Sequence, residues 1–127
     1  MQRQAWQDER VSSGTAESRA AILRIAEAFA RLPGKDGVPF AELLQHGSLS
    51  VEIFAPRGAD TQEPHARDEI YVVVKGSGEF VYGSRRARVS TGDFLFVPAQ
   101  LEHRFENFSP DLTLWVIFYG PDGGERP

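Results

Sequence analysis

From residue 40 onward the chain is cut into short apolar runs by closely spaced turn residues. Gly76-Ser77-Gly78, Gly83-Ser84 and Thr91-Gly92-Asp93 each separate runs only a few residues long. Runs that short, rich in Val, Ile, Phe and Tyr, read as strands. Strands so brief bury an interior only by folding back on one another, as a sandwich or barrel. The expected strands are Phe40–Gln45, Leu49–Ala55, Ile70–Lys75, Glu79–Tyr82, Arg85–Val89, Phe94–Val97, His103–Phe108 and Leu112–Tyr119. The first two form a hairpin about His46-Gly47-Ser48, although Pro39 and Glu42 also permit a helical turn at its start.

Ahead of this region the periodicity changes. Ile22, Ile25, Phe29 and Leu32 recur at intervals of three, four and three, one stripe of a helix. Thr15 suits the N-cap and Glu17 the first turn, Glu27 lies four before Arg31, and Pro33-Gly34 ends the pattern. The expected organisation is an N-terminal arm and helix over 1–39, a β domain over 40–121 and a loose tail over 122–127. Within the first part, residues 1–14 read as a loose arm and 15–32 as the helix. A chain of 127 residues is one domain.

Composition removes several chemistries. There is no cysteine, so disulfide scaffolds, thiolate zinc sites, iron–sulfur clusters and cysteine nucleophiles are excluded. A formal net charge of −4 argues against a nucleic-acid partner. No apolar run approaches the ~20 residues of a membrane span, and the first ten residues hold no signal-like apolar core. A cytoplasmic protein with no membrane partner is expected. Only three histidines are present, His46, His65 and His103. A metal-ligand spacing among them has little background to arise from. His46, in a turn before Gly47, reads as structural.

His65 and Glu69 are four apart, so on extended chain they share a face, and Glu63 shares it too. Asp68 is out of phase. A third ligand must come from another strand, and His103 begins one. Arg67 is in phase with this set, either to bind an anion or as a solvated charge. Tyr71 is in phase with Glu69 and is expected to point into the barrel. Phe105 and Asn107 are in phase with His103. Arg85, Arg86 and Arg88 read as an anion patch or, better, as the charged edge of a sheet.

These residues resemble two motifs of the cupin superfamily. Glu63-Pro64-His65, Glu69 and Gly76 follow the first motif from its second histidine onward. Gly92, Pro98, His103 and Asn107 follow the second. Glu63 stands where the first histidine would be, Gln100 replaces a glycine, and Gly58 lies one residue out of register. The resemblance covers about residues 40–121, and the short stretch Ser77–Thr91 between the motifs is similar to that of bacterial single-domain cupins. It implies a mainly β fold, a cupin-like jelly-roll barrel with the N-terminal α-helix added, and a small-molecule ligand in the barrel. It further implies that His65, Glu69 and His103 hold a divalent metal ion: iron, manganese, nickel or zinc. Glu63 is then either a fourth ligand or a general base. Tyr71, Gln100, Phe105 and Asn107 are the expected pocket residues. Asn107 serves either that site or a turn, as a stabilising amide.

Two functions follow from that resemblance. One is a metal-dependent dioxygenase or isomerase acting on a small, oxygen-rich molecule. The other is a non-catalytic module that binds or senses one. Ile70–Val74 and Leu112–Tyr119 are apolar without alternation, so both faces need cover. A homodimer is therefore expected.

Overall fold

The computed structural model describes residues 15–127. The arm expected over 1–14 lies outside the described residues. Among the described residues two short α-helices and a 3-10 turn at Lys35–Gly37 are followed by eight strands. They are β1 (Phe40–His46), β2 (Leu49–Phe54), β3 (Asp68–Lys75), β4 (Ser77–Tyr82), β5 (Arg85–Ser90), β6 (Phe94–Val97), β7 (His103–Glu106) and β8 (Thr113–Tyr119). They form a five-stranded sheet, β1-β2-β8-β3-β6, and a three-stranded sheet, β5-β4-β7. The chain is mainly β, and the two sheets, though not closed into a barrel, make a jelly-roll-like fold.

The sheets face each other across one apolar core. Tyr71, Val73 and Leu114 come from the larger sheet, and Phe80 and Phe105 from the smaller. The Tyr71 and Phe105 rings meet edge to face, with centroids 5.1 Å apart. On the opposite side of the smaller sheet Arg86 bonds Glu79 at 2.9 Å and Glu106 at 3.0 Å. Of the arginine cluster, Arg86 is thus paired, and all three side chains are solvated.

Strand pairing assigns each side chain of the larger sheet to a face. Ser50, Phe118 and Glu69 lie in one row, and Glu52, Val116 and Tyr71 in the next. Both rows face inward. The alternate rows run Val51, Ile117, Ile70, Phe96 and Ile53, Trp115, Val72, Phe94. Hence β2 turns its polar residues inward and Val51 and Ile53 outward. Phe94 and Phe96, at the sheet edge, are 66% and 52% exposed.

The expected helix over 15–32 is broken into α1 (Ala16–Arg19) and α2 (Ile25–Phe29), with extended chain at Ala20. Ile22 is 75% exposed. This part of the stripe is undocked, and an undocked helix of that length is marginal in water. Only the second half docks: Ala28 is buried, the Lys75 ammonium lies 6.0 Å from the Phe29 ring, and Arg31 reaches the Glu42 carbonyl. The tail over 122–127, expected to be loose, is tied down. Gly123 N donates to Ala66 O at 2.7 Å and Glu125 N to Asp68 Oδ2 at 2.8 Å. Among the described residues no helix is long and apolar enough to cross a membrane.

Candidate metal centre

A cavity of about 560 Å³ lies between the inner face of the larger sheet and the loop before β3. Two of three candidate ligands, His65 and Glu69, line it, and the third, His103, adjoins Glu69. His65 comes from the loop, Glu69 from β3, and His103 from β7 in the other sheet. One ligand atom from each lies within 4.8 Å of the other two. Glu69 and His103 are buried and His65 is half-buried.

Hydrogen bonding explains what this cluster lacks. His103 Nδ1 lies 2.8 Å from the Leu101 carbonyl, which can only accept, so Nδ1 carries the proton. In the neutral ring, Nε2 is then a lone pair. It faces Glu69 Oε1 at 3.0 Å, and His65 Nε2 stands 3.9 Å from the same oxygen. Glu69 Oε1 is fully buried and has no hydrogen-bond partner when the ring is neutral. A lone pair against a carboxylate calls for a cation between or beside them, either a proton on His103 or a metal ion. Burial alone would lower the His103 pKa, but the Glu69 hydrogen bond, the Leu101 carbonyl and the Glu69 charge outweigh it and raise it.

Tyr71 closes the floor. Its hydroxyl donates to Gln62 Oε1 at 2.9 Å and lies 3.1 Å from His103 Nε2. Burial first, then the charge of Glu69, hold the phenol well above its ordinary pKa, so it stays protonated. Gln62 is itself oriented, because its Nε2 donates to Asp60 Oδ2 at 2.7 Å. Its Oε1 therefore points to Tyr71 and stands 3.4 Å from His65 Nε2. Asp60 Oδ2 also accepts from Phe105 N at 2.9 Å, which joins the loop to β7.

The remaining expected site residues lie elsewhere. Glu63 is exposed and outside the cavity wall. Residues 61–67 are not strand, so the period of two that aligned Glu63 with His65 does not hold there. Gln62 takes the inward place. Gln100 is exposed, and it is its backbone N–H that matters, donating to His65 O at 2.7 Å. Phe105 is buried in the core under Tyr71 and does not line the cavity. Asn107 Nδ2 donates to Glu79 on the outside of the smaller sheet, 2.7 Å away. Arg67 does line the cavity, held by the Ser48 carbonyl and 5.7 Å from the Phe118 ring.

Sequence reasoning missed Gln62, Asp60 and Glu52. Glu52 lines the cavity from β2. Burial, then Glu42 and Glu69, push its carboxyl pKa up to about 7, against the pull of Arg67. Its only sequence signal was a carboxylate alternating with Val51 and Ile53, and such a residue ordinarily reads as solvent-facing.

Comparison with known proteins agrees with this geometry. Residues 50–119 match the family described as cupin domain. An uncharacterized protein of Streptomyces coelicolor is 34% identical over 101 residues, 78% of this chain and 95% of that one. A cupin-2 domain protein of Shewanella frigidimarina superposes with a TM-score of 0.63 at 13% identity, over 78% of this chain and 95% of that one. KdgF from a Halomonas species gives 0.57 at 24% identity, over 65% and 77% of the two chains. The matched segment takes in more than half the sequence and all three converging side chains, and on that ground the chain belongs to the cupin family.

Proposed function

We propose that this cupin holds one divalent metal ion on His65, Glu69 and His103 and oxidises or isomerises a small oxygen-rich molecule. The observation that carries this reading is the buried Glu69 oxygen faced by the Nε2 atoms of two histidines. The Leu101 carbonyl supports it by leaving the His103 lone pair on the inner nitrogen, the arrangement usual for a ligating imidazole. Two imidazoles and one carboxylate would leave about three of six octahedral positions for water and substrate. Iron, manganese, nickel and zinc all suit that donor set.

When bound, the ion would polarise a substrate oxygen or activate dioxygen. The chain's own part is binding and proton placement. Tyr71 offers a protonated hydroxyl beside the donor set, and Gln62 holds it there. Phe54, Val116 and Phe118 give the cavity an apolar wall that limits water. Glu63, exposed and outside the cavity wall, takes no part.

Elemental analysis of dialysed, tag-free protein tests this. About one equivalent of metal is expected in the native chain, with most of it lost in His65→Ala, His103→Ala and Glu69→Gln. Stoichiometric metal in His103→Ala overturns the ligand set. Oxygen uptake or product formation with phenols and sugar derivatives supports an enzyme. Saturable thermal stabilisation without turnover supports a binding module instead.

The outer face of the larger sheet supports a homodimer. Phe94 and Phe96 are exposed beside half-buried Ile70, Val72, Trp115 and Ile117 on one continuous face. An apolar strip of that extent favours association with a second copy.

A further inference from the structure

We propose that Glu52 sets the charge class of the ligand: the cavity takes a molecule whose end remote from His65, Glu69 and His103 bears a hydroxyl or ammonium group, and turns away one ending in a carboxylate. The proposal deepens the metal-centre reading and shares its cavity.

Five carboxyl side chains line that cavity against one guanidinium. Most are already committed. Asp60 accepts from Gln62 and Phe105 N, Glu42 accepts from the Ser50 hydroxyl at 2.9 Å, and Glu69 belongs to the ligand cluster. Asp122 is exposed at the rim. Arg67, the lone cation, is held by the Ser48 carbonyl and the Phe118 ring. Glu52 lines the wall half-buried and takes no hydrogen bond among the described residues. It is the polar group there with capacity to spare.

Its position suits a ligand end. Glu52 pairs with Val116, and Val116 with Tyr71, so Glu52 stands two strands away from the Tyr71 hydroxyl on the same face. Two strand spacings are about 10 Å. A substituted benzene ring or a sugar bound at the cluster spans that gap. Directly across the other pair, Glu42 opposes Glu52 in register. A ligand carboxylate arriving there meets two like charges, with Glu69 beyond. A hydroxyl can donate to Glu52 or accept from it, whichever state the carboxyl is in, and an ammonium offsets the crowded negative charge. The upward-shifted pKa agrees, since burial first and then the Glu42 and Glu69 charges raise it against the pull of Arg67.

The test uses three probes that share a metal-chelating dihydroxyphenyl group and differ in the tail: dopamine, 4-(2-hydroxyethyl)catechol and 3,4-dihydroxyphenylacetate. Affinities are measured by calorimetry on zinc-loaded protein and by NMR titration on zinc-free protein. The native chain should bind the amine and the alcohol at least about tenfold more tightly than the acid. In Glu52→Gln, and likewise in Glu52→Ser, the amine-to-acid ratio should fall to within about threefold while zinc content is unchanged. Equal affinities in the native chain, an unchanged ratio in both variants, or no binding of any probe in either form overturns the proposal. Failure to take up zinc, with the tail preference intact in zinc-free protein, overturns the metal centre and upholds Glu52. Zinc uptake without tail preference does the reverse.

Discussion

Replacing Asp68 with Asn should weaken the fold and leave the metal centre alone. Asp68 precedes Glu69 and is almost completely buried, yet alternation along β3 turns it to the other face. Its Oδ1 accepts from Ala99 N at 2.9 Å and its Oδ2 from Glu125 N at 2.8 Å. It thereby ties the loop before His103 and the C-terminal tail to the start of β3. Asn retains one acceptor oxygen, and its NH₂ group cannot accept from the other N–H. The oxygen will stay with Ala99, the more buried partner. That bond drops from charge-assisted to neutral, a loss of about 1 kcal/mol, and losing the Glu125 bond at the surface adds about as much. The total is about 2 kcal/mol. For 127 residues the unfolding entropy is about 0.27 kcal/mol/K, so Tm should fall about 7 °C. Asp68→Ala, which leaves both donors unpaired, should fall further. Thermal and urea unfolding measure the loss, with elemental analysis on the same samples. Loss of metal from folded Asp68→Asn would refute the face assignment, and an unchanged Tm would refute the role given to these two bonds.

Folding raises the Glu52 pKa from 4.5 to about 7, so its carboxyl opposes the fold little below pH 4.5 and increasingly as pH rises to about 7. Glu52→Gln should therefore gain more Tm over the native chain at pH 8 than at pH 4.5, and an equal difference at both would contradict this. Light scattering at micromolar concentration should show a dimer, and Phe94→Glu with Phe96→Glu should give a monomer; a monomeric native chain sinks the assembly. Gly76 sits at φ +84°, and a Cβ there would stand 2.5 Å from Ser109 Oγ and 2.8 Å from Leu112 Cα. Gly76→Ala should cost about 2 kcal/mol or more in urea unfolding, since backbone cannot step aside.

The strands were legible because their signal is local. Turn residues and short apolar runs mark their own boundaries: β5 and β6 fall within a residue of where the pattern puts them, and β4 within two. His65, Glu69 and His103 were legible through spacing and the scarcity of histidine. The N-terminal stripe was misleading in its length. Periodicity says which residues share a face, but whether a helix persists depends on docking against a surface, and Ile22 stays exposed.

The sequence by itself determined the number and kind of strands and the three residue types that converge. Tertiary structure alone decided which way β2 faces, and with it the character of the cavity. Ser50 and Glu52 alternate with Val51 and Ile53, and that alternation is the same whichever set is inside. Pairing with β8, itself registered on β3, breaks the tie: Glu69 and Tyr71 face inward, so Ser50 and Glu52 must as well. The loop before β3 was equally out of reach. Outside a ladder nothing enforces a period of two, and the inward place went to Gln62, held by Asp60, instead of Glu63.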